Sequence, residues 1–314
     1  MIYDLIFLVL GFALLVKGAD LFVDGACDLS AKLRIPAYIV GMTVVAFGTS
    51  LPEAAVSITA AMSGSNEIAI GNVIGSNTFN TLVVLGASAL FAPVAVKKDI
   101  LKFDFPFCIF ITVLLFILLI TLNGGNYALT LIDAIILLAF FAVFMTVSVI
   151  SGKKGIAEGE EAGNAETPLW KIIVFILLGI AAVIVGGQST VEGATGIAKT
   201  IGLSETVIGL TVVAFGTSLP ELVTSVVAAR KKQNDIAVGN VIGSNIFNIL
   251  FILGVSALIT DMGTDSYVIA DTVILIGIMA FTYIISLAKK EIRKPVGIFM
   301  ILMYVAYTAF LLIR

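Results

Sequence analysis

The stretch Gly41-Met-Thr-Val-Val-Ala-Phe-Gly-Thr-Ser-Leu-Pro-Glu53 recurs as Gly209-Leu-Thr-Val-Val-Ala-Phe-Gly-Thr-Ser-Leu-Pro-Glu221, with 12 identities in 13 positions. Residues 68–80 likewise recur as residues 236–248, with 11 identities in 13. The same offset of 168 residues relates both pairs. Self-similarity at a fixed offset indicates an internal duplication, and we predict that the chain consists of two related halves.

The composition places both halves in a membrane. The 314 residues are 60% hydrophobic and 12% charged, with a mean hydropathy of +1.14. Soluble domains carry roughly 45–50% apolar and about 25% charged residues. The net charge of −3 gives no basis for nucleic-acid binding, and the absence of histidine excludes His-based catalysis and most zinc chemistry. Without a nucleophile–base pair or a metal triad, neither an enzymatic activity nor a cofactor is predicted.

A membrane-spanning helix needs about 20 mostly apolar residues, and ten stretches of the chain meet this requirement. They are residues 3–28, 37–62, 68–92, 102–122, 127–150, 169–198, 205–229, 236–260, 267–287 and 295–312.

Five spans fall in each half, and an odd number forces the second half to run upside down. The predicted fold is therefore an all-α polytopic membrane protein with ten transmembrane helices in two inverted five-helix repeats. The first repeat covers residues 1–150 and the second, inverted repeat covers residues 169–314. Residues 151–168 are predicted to form a solvated linker, because glutamates alternate there with Gly and Ala.

Loop charges give the orientation. Of the 18 Lys and Arg residues, 15 lie near the connections that follow odd-numbered spans, and the positive-inside rule places these connections in the cytoplasm. We therefore predict a multi-pass protein of the plasma membrane with both termini extracellular and linker 151–168 cytoplasmic. The inversion is supported as well, because the basic segment 230–232 aligns with the uncharged segment 62–64 on the opposite side.

Inverted repeats are typical of alternating-access transporters, whose binding site lies near the membrane midplane at the repeat interface. The alternative is a duplicated structural scaffold without transport. That alternative does not explain why the most similar segments are also the polar ones.

Glu53 and Glu221 each fall in the middle of a predicted span. A charged carboxylate there costs about 2.5–3.5 kcal/mol on insertion scales, and two of them repel each other. An intramembrane salt bridge is the competing explanation. Lys17 is the available cation within a span, it has Val185 as its repeat counterpart, and one lysine cannot neutralise two glutamates. A bound metal ion can.

Further oxygen ligands are expected beside each glutamate. Pro52 lacks an N–H and disturbs its helix, so upstream carbonyl groups lose their partners and can face a cavity; the alternative is an ordinary proline kink. The candidate carbonyl groups belong to Ala46 and Thr49 and to their repeat counterparts Ala214 and Thr217.

The second motif adds a polar stripe of residues spaced four apart, which share one helix face. Coordination of an ion is favoured for Ser76, Asn80, Ser244 and Asn248, whereas ligation and interhelical hydrogen bonding stay equally open for Asn72 and Asn240. The pairs Gly71/Gly75 and Gly239/Gly243 are predicted to allow close helix approach. Asp20, Asp24 and Glu192 lie toward span ends and are not predicted as ligands.

All of these candidate ligands are oxygen atoms, which suit hard cations, and Ca²⁺ takes six to eight oxygens. Two carboxylates balance one Ca²⁺ or hold several Na⁺. Competition of the two ions for one cavity is a direct physical basis for exchange.

The paired motifs resemble those of the cation/calcium exchanger superfamily, specifically the prokaryotic type of sodium/calcium exchanger. The resemblance implies ten helices, with the second, third, seventh and eighth forming the ion core and the first and sixth sliding across it. It also implies electrogenic Na⁺/Ca²⁺ antiport with a ratio of about three to one.

Carried over residue by residue, the resemblance makes the carboxylates of Glu53 and Glu221 and the carbonyls of Thr49 and Thr217 the Ca²⁺ ligands. It adds, as Na⁺ ligands, Ala46, Ser50, Ser76, Ala214, Ser218 and Ser244, with Asn80 and Asn248 flanking the central position. Some prokaryotic members carry an aspartate where Asn248 stands, so the central position is less acidic here. The potassium-dependent branch also uses an aspartate in this region, which disfavours potassium co-transport.

Two alternatives to Na⁺/Ca²⁺ antiport stay open from the residues. One is a H⁺/Ca²⁺ antiporter of the same fold, in which the glutamates take the protons. The other is a cation channel, which the inverted motif disfavours. The predicted partners are Ca²⁺, Na⁺ and the lipid bilayer, with no nucleic acid and no obligate protein partner.

Overall fold

The computed structural model describes residues 1–121, 127–157, 166–202 and 214–313, and these fold almost entirely into helices. In chain order the helices are α1 (Ile2–Leu33), α2 (Ala37–Thr49), α3 (Leu51–Met62), α4 (Asn66–Phe91), α5 (Phe105–Thr121), α6 (Leu131–Ala157), α7 (Leu169–Thr200), α8 (Ala214–Gly216), α9 (Leu219–Arg230), α10 (Asn234–Ile259), α11 (Ser266–Lys289) and α12 (Lys294–Ile313). Four two-residue strands are β1 (Val94–Ala95), β2 (Ala128–Leu129), β3 (Met262–Gly263) and β4 (Glu291–Ile292).

The helices follow the predicted spans closely. Among the described residues, eight helices are long and apolar enough to cross a membrane, and the bent pair α2 and α3 makes a ninth if it forms one span. The predicted seventh span, residues 205–229, is described only from residue 214 onward, as α8 and α9. Helix α6 continues beyond the predicted end of the fifth span at residue 150 as far as Ala157, and residues 158–165 of the predicted linker lie outside the described residues.

Helices α4 and α10 form the centre of the bundle. In their most apolar stretches 72% and 78% of the residues are buried, whereas the other single-helix spans are 17–39% buried. The outer helices instead expose large apolar side chains, including Leu10, Val147 and Leu302. An apolar surface of this extent fits contact with lipid, because soluble proteins rarely expose large contiguous apolar patches.

The two halves are tied together by contacts that come in repeat-related pairs. Asn66, at the start of α4, donates a hydrogen bond to the carbonyl of Asp261 just after α10. Asn234, at the start of α10, donates to the carbonyl of Pro93 just after α4. Each central helix therefore begins on the face where the other ends, and the two run antiparallel, as an inverted repeat requires.

A short pair of strands lies after each of the two central helices. Strand β1 pairs with β4, and β2 pairs with β3, both antiparallel. Since β1 and β3 follow α4 and α10 respectively, each pair anchors the exit of one central helix to a connection from the other half.

Helices α1 and α7 pack antiparallel with their backbones in contact. A Cβ added to Gly186 would lie 2.5 Å from the backbone N of Leu15, and one added to Gly11 would lie 2.6 Å from that of Thr190. Without apolar association to drive helices together in lipid, such small-residue contacts allow the close packing that holds a helix pair.

The predicted close approach at the motif glycines is confirmed for the second half. A Cβ on Gly243 would lie 2.4 Å from the carbonyl O of Met42, and one on Gly239 would lie 2.6 Å from that of Tyr38. For Gly71 and Gly75, no described atom lies within 4 Å of an added Cβ. The repeat counterparts of Tyr38 and Met42 fall within residues 203–213, outside the described residues, so for this pair close approach stays a prediction.

Replacing Gly186 by Val is expected to destabilise the α1–α7 pair, because the new side chain meets backbone atoms that cannot move aside. Overpacking of this kind costs about 1–3 kcal/mol, so the temperature of thermal unfolding in detergent should fall. The matched control is Gly277→Val, since no described atom lies within 4 Å of a Cβ added to this exposed glycine. Equal unfolding temperatures for the two variants would contradict the proposed backbone contact.

Candidate ion-binding site

In each half, the candidate site includes a break between two consecutive helices. Helix α2 ends at Thr49 and α3 begins at Leu51, with Ser50 at φ −85° and ψ 7° between them and an angle of 51° between the two axes. Ser218 occupies the equivalent position before α9, at φ −91° and ψ 6°. A proline near the start of the following helix has no N–H to continue the preceding hydrogen-bond ladder.

The break leaves selected carbonyl groups without backbone partners. Within the described ranges, no backbone N–H donates to the carbonyl of Thr49 or Thr217. Ala46 differs from the expectation, because its carbonyl accepts the N–H of Ser50 at 3.0 Å and the hydroxyl of Ser244 at 3.5 Å. The break therefore frees the carbonyl of the residue directly before it rather than one a full turn earlier. Ala214 is the first residue of α8 and adjoins the stretch outside the described residues.

One serine in each half donates a hydrogen bond to the glutamate of the other half. Ser50 Oγ donates to Glu221 Oε1 at 2.8 Å, and Ser218 Oγ donates to Glu53 Oε1 at 2.9 Å. Both glutamates are fully buried, and they lie close enough for their charges to repel. The two glutamates thus meet at the interface of the repeats, as the sequence predicts.

Neither glutamate has a cationic partner among the described residues. The salt bridges of the described chain leave out Glu53 and Glu221, and the second carboxylate oxygen of each has no hydrogen-bond partner. An uncompensated buried charge is costly. The intramembrane salt bridge is therefore not formed within the described residues. The two negative charges are left without a positive partner, which a bound cation would supply.

Lys17 forms no salt bridge with the nearby Asp20 among the described residues. That carboxylate pairs instead with Lys231 Nζ, just after α9, at 2.7 Å, and Asp24 binds the same Nζ at 2.7 Å. Partial burial lowers the pKa of Lys231, but the hydrogen bonds and the negative charges of Asp20 and Asp24 together raise it by more, so the net shift is upward. Both aspartates thus belong to a partly exposed ion pair rather than to the buried site.

The remaining predicted side chains of α4 and α10 lie on helix segments that pack against the helices of the two glutamates. Ser76 Oγ lies 3.2 Å from Ser218 Oγ, within hydrogen-bond distance. Several oxygens are buried without a hydrogen-bond partner in the described chain: Asn80 Oδ1, Asn248 Oδ1 and Thr217 Oγ1. Buried acceptors that no donor in the described chain satisfies are unusual. They mark a place for a cation, which accepts their lone pairs.

Asn72 and Asn240 make interhelical hydrogen bonds. Asn72 Nδ2 donates to Ser57 Oγ at 2.9 Å, and Asn240 Nδ2 donates to the repeat-related Ser225 Oγ at 2.9 Å. Asn240 Oδ1 also accepts the hydroxyl of Thr49 at 3.0 Å. Of the two possibilities left open by the sequence, the structure favours the packing role.

Both central helices widen into a π-helical turn at the site. The turns cover Asn80–Val84 and Asn248–Ile252, so each begins at a predicted ligand. Single π-helical turns within α-helices often occur at functional sites, since they shift the side chains that follow them.

Aromatic rings form another repeat-related pair of contacts between the two halves. Phe47 packs edge-on against Phe247 with ring centroids 5.2 Å apart, and Phe215 packs against Phe79 at 5.5 Å. Each ring pair joins the first motif of one half to the second motif of the other. These rings place apolar surface within the same two motifs that carry the polar residues.

Sequence reasoning missed Asn77 and Asn245, which accept hydrogen bonds from the amides of Asn248 and Asn80, respectively, across the repeat interface. They belong to the same Gly-Ser-Asn-x-Phe-Asn motif in both halves. The available signal was that both copies of the motif have asparagine at this position. Each asparagine follows a stripe serine by only one residue, however, so it does not share the helix face of the predicted stripe.

The chemistry of the site is that of oxygen donors alone. Among the described residues, no cluster of three or more His, Cys, Asp or Glu is present. Two carboxylates supplemented by neutral hydroxyl, amide and carbonyl oxygens suit Ca²⁺ or Na⁺ rather than a transition metal.

Comparison with known proteins identifies the family. The family described as "Sodium/calcium exchanger protein" matches residues 3–150 and 171–313. The chain belongs to this family.

Relatives match over nearly the whole chain. The sodium/calcium exchanger MaX1 of Methanosarcina acetivorans is 34% identical over 97% of both chains. The inner membrane protein YrbG of Escherichia coli is 38% identical over 82% of this chain and 80% of that protein. A solved structure of the sodium-calcium exchanger NCX_Mj superposes with a TM-score of 0.85 at 31% identity, covering 98% of each chain. The chain therefore has the ten-helix, two-repeat fold of this exchanger.

Substituting Glu53 by Gln is expected to separate intrinsic stability from stabilisation by Ca²⁺. In chelator at pH 8 the variant no longer buries two like charges, so it should unfold at the same temperature as the natural protein or higher. Calcium should stabilise the natural protein, by about 2.7 kcal/mol at a hundredfold excess over Kd, but not the variant.

Thermal unfolding with and without CaCl₂ measures both effects. Glu192→Gln is the control, because this carboxylate is exposed whereas those of the site are buried, and its loss should leave the calcium shift intact. A full calcium shift in Glu53→Gln would rule out Glu53 as a ligand.

Proposed function

We propose that this protein is a secondary active antiporter that exchanges Na⁺ for Ca²⁺ across the membrane by alternating access at one midplane site. The observation that carries this proposal is the pair of buried, uncompensated carboxylates, each hydrogen-bonded by a serine from the opposite repeat. The family membership and the sodium/calcium exchangers among its relatives support the same conclusion.

The charge of the site explains why two different ions compete for it. Glu53 and Glu221 together carry two negative charges, which one Ca²⁺ neutralises. Several Na⁺ ions distributed over the same oxygens also compensate these charges. Since both loads require the same carboxylates, the cavity holds one or the other, and movement of the loaded protein in both directions gives exchange.

The proposed ligands combine the two carboxylates with neutral oxygens from both repeats. Thr49 and Thr217 offer carbonyl groups that no described backbone N–H occupies, and each amide of Asn80 and Asn248 offers a free oxygen. The complete proposed set is Glu53, Glu221, Thr49, Thr217, Ser50, Ser218, Ser76, Ser244, Asn80, Asn248, Ala46 and Ala214.

Alternating access follows from the inverted repeat. The same motif is presented once toward each side of the membrane, so the two sides can open in turn by equivalent movements. The burial of both glutamates fits a closed arrangement, in which the ions are sealed from both sides.

The protein is proposed to act as a transporter without enzymatic activity, in the plasma membrane. Residues 1–150 and 169–314 are its two repeats, and the basic connections, including linker 151–168, face the cytoplasm. Ca²⁺, Na⁺ and lipid are its proposed partners.

Calcium uptake into proteoliposomes tests the proposed exchange. Vesicles loaded with Na⁺ and diluted into choline medium with radioactive Ca²⁺ should accumulate Ca²⁺, and vesicles without the Na⁺ gradient should not. Glu221→Gln should abolish uptake, while Glu192→Gln serves as the matched control and should retain it.

Other outcomes of this experiment contradict the proposed coupling. Uptake driven by a pH gradient and indifferent to Na⁺ would indicate H⁺/Ca²⁺ exchange by the same fold. Calcium flux far above carrier rates without any counter-ion would indicate a channel.

The proposed orientation in the membrane predicts which loops are accessible from outside the cell. In a variant with Cys27 and Cys108 replaced by Ala, Ser63→Cys should react with an impermeant maleimide added to intact cells. Lys232→Cys, in the repeat-related connection, should react only after the membrane is permeabilised. Both positions are exposed, so the reverse pattern would show that the termini are cytoplasmic.

A further inference from the structure

Two asparagines outside the proposed ligand set hold the amides of two proposed ligands. Asn80 Nδ2 donates to Asn245 Oδ1 at 3.3 Å. Asn248 Nδ2 donates to Asn77 Oδ1 at 3.0 Å. Each bond crosses the repeat interface, and all four side chains are almost completely buried.

These bonds fix the direction of two amide oxygens. A carboxamide is planar, with its oxygen and its nitrogen on opposite branches, so holding the nitrogen on one side turns the oxygen to the other. The oxygens of Asn80 and Asn248 are buried and receive no hydrogen bond within the described residues. A buried acceptor left without a donor is costly, unless a cation binds it.

The orienting asparagines are held in turn by their own amide nitrogens. Asn77 Nδ2 donates to the backbone carbonyl of Asn245 at 3.1 Å. Asn245 Nδ2 donates to Thr81 Oγ1 at 3.0 Å, and that hydroxyl donates to the carbonyl of Asn77 at 2.8 Å. Because their nitrogens are occupied, Asn77 and Asn245 present oxygens to the partner amides, and a flip would place two donors face to face.

We propose that Asn77 and Asn245 are positioning residues, which aim the amide oxygens of the opposite repeat at the transported ion. This inference rests on the proposed function of the site. Neither residue supplies an oxygen to the ion, since the oxygen of each is occupied by the partner amide. They act through Asn248 and Asn80, respectively.

The two halves of this arrangement differ at one position. The repeat counterpart of Thr81 is Ile249, which has no polar side-chain atom. Asn245 is therefore held by a hydroxyl group, whereas Asn77 is held by a backbone carbonyl. The orientation of Asn80 consequently depends on Thr81, and the orientation of Asn248 has no such side-chain dependence.

A double-mutant comparison tests the positioning role of Asn77. Leucine has nearly the shape of asparagine, so Asn77→Leu removes the acceptor of the Asn248 amide and lets that amide turn its nitrogen toward the ion. Loss of an orienting partner typically lowers metal affinity about 10- to 100-fold. We expect a loss in this range when CaCl₂ is titrated calorimetrically into the purified full-length chain in Na⁺-free choline buffer.

The informative measurement repeats this substitution in the Asn248→Asp background. A carboxylate presents an oxygen on either branch and needs no orientation, so Asn77→Leu should there change Ca²⁺ affinity by less than about threefold. A merely structural role would lower affinity equally in both backgrounds, and that result would overturn the inference while leaving the proposed exchange intact.

A second variant tests the inference even if Asn77→Leu fails to fold. Thr81→Val removes the hydroxyl that holds Asn245 with little change in shape, and it should lower Ca²⁺ affinity in the natural background but not when combined with Asn80→Asp. Equal losses in both backgrounds would overturn the inference for this half. A natural protein that binds neither Ca²⁺ nor Na⁺ would overturn the proposed function, and this inference with it.

Discussion

The hydrogen bonds between Ser50 and Glu221 and between Ser218 and Glu53 hold two like charges together inside a membrane protein, and the rest of the architecture follows from that constraint. Carboxylates in this environment require cations, and none is supplied by the described side chains. The helix breaks and the free carbonyl groups lie within four residues of these charges along the chain, and the unpaired amide oxygens belong to helices that pack against those of the glutamates. They provide the additional oxygens that a hard cation needs after it loses its water.

Duplication is what makes such a site possible in a single chain. Serine–carboxylate bonds, asparagine pairs, aromatic contacts and the ties at the ends of the central helices all occur twice, related by the offset of 168 residues. The symmetry is nevertheless incomplete. Thr81 is matched by Ile249, and Lys231, which pairs with Asp20 and Asp24, is matched by Ser63. The two sides of the membrane therefore meet surfaces that are related but not equivalent.

Packing divides the molecule into a polar centre and an apolar exterior. Helices α4 and α10 are buried because their polar faces must avoid lipid, while the outer helices expose apolar side chains. Backbone contact at Gly186 brings α1 and α7 together, and Gly243 brings α10 against α2. In lipid, where apolar side chains gain little from association, these small residues supply the close approach that packing requires.

The sequence by itself determined the membrane class, the span positions, the inverted duplication and the meeting of Glu53 with Glu221, because periodicity, composition and repetition are local patterns. Only the tertiary structure decided which hydroxyl binds which carboxylate, that Asn240 bonds to Ser225, that the carbonyl of Ala46 is occupied, and that Asn77 accepts the amide of Asn248. The physical reason is distance along the chain. The partners of Ser50 and Asn77 lie 171 residues away, and the register of helices from opposite halves decides whether they meet.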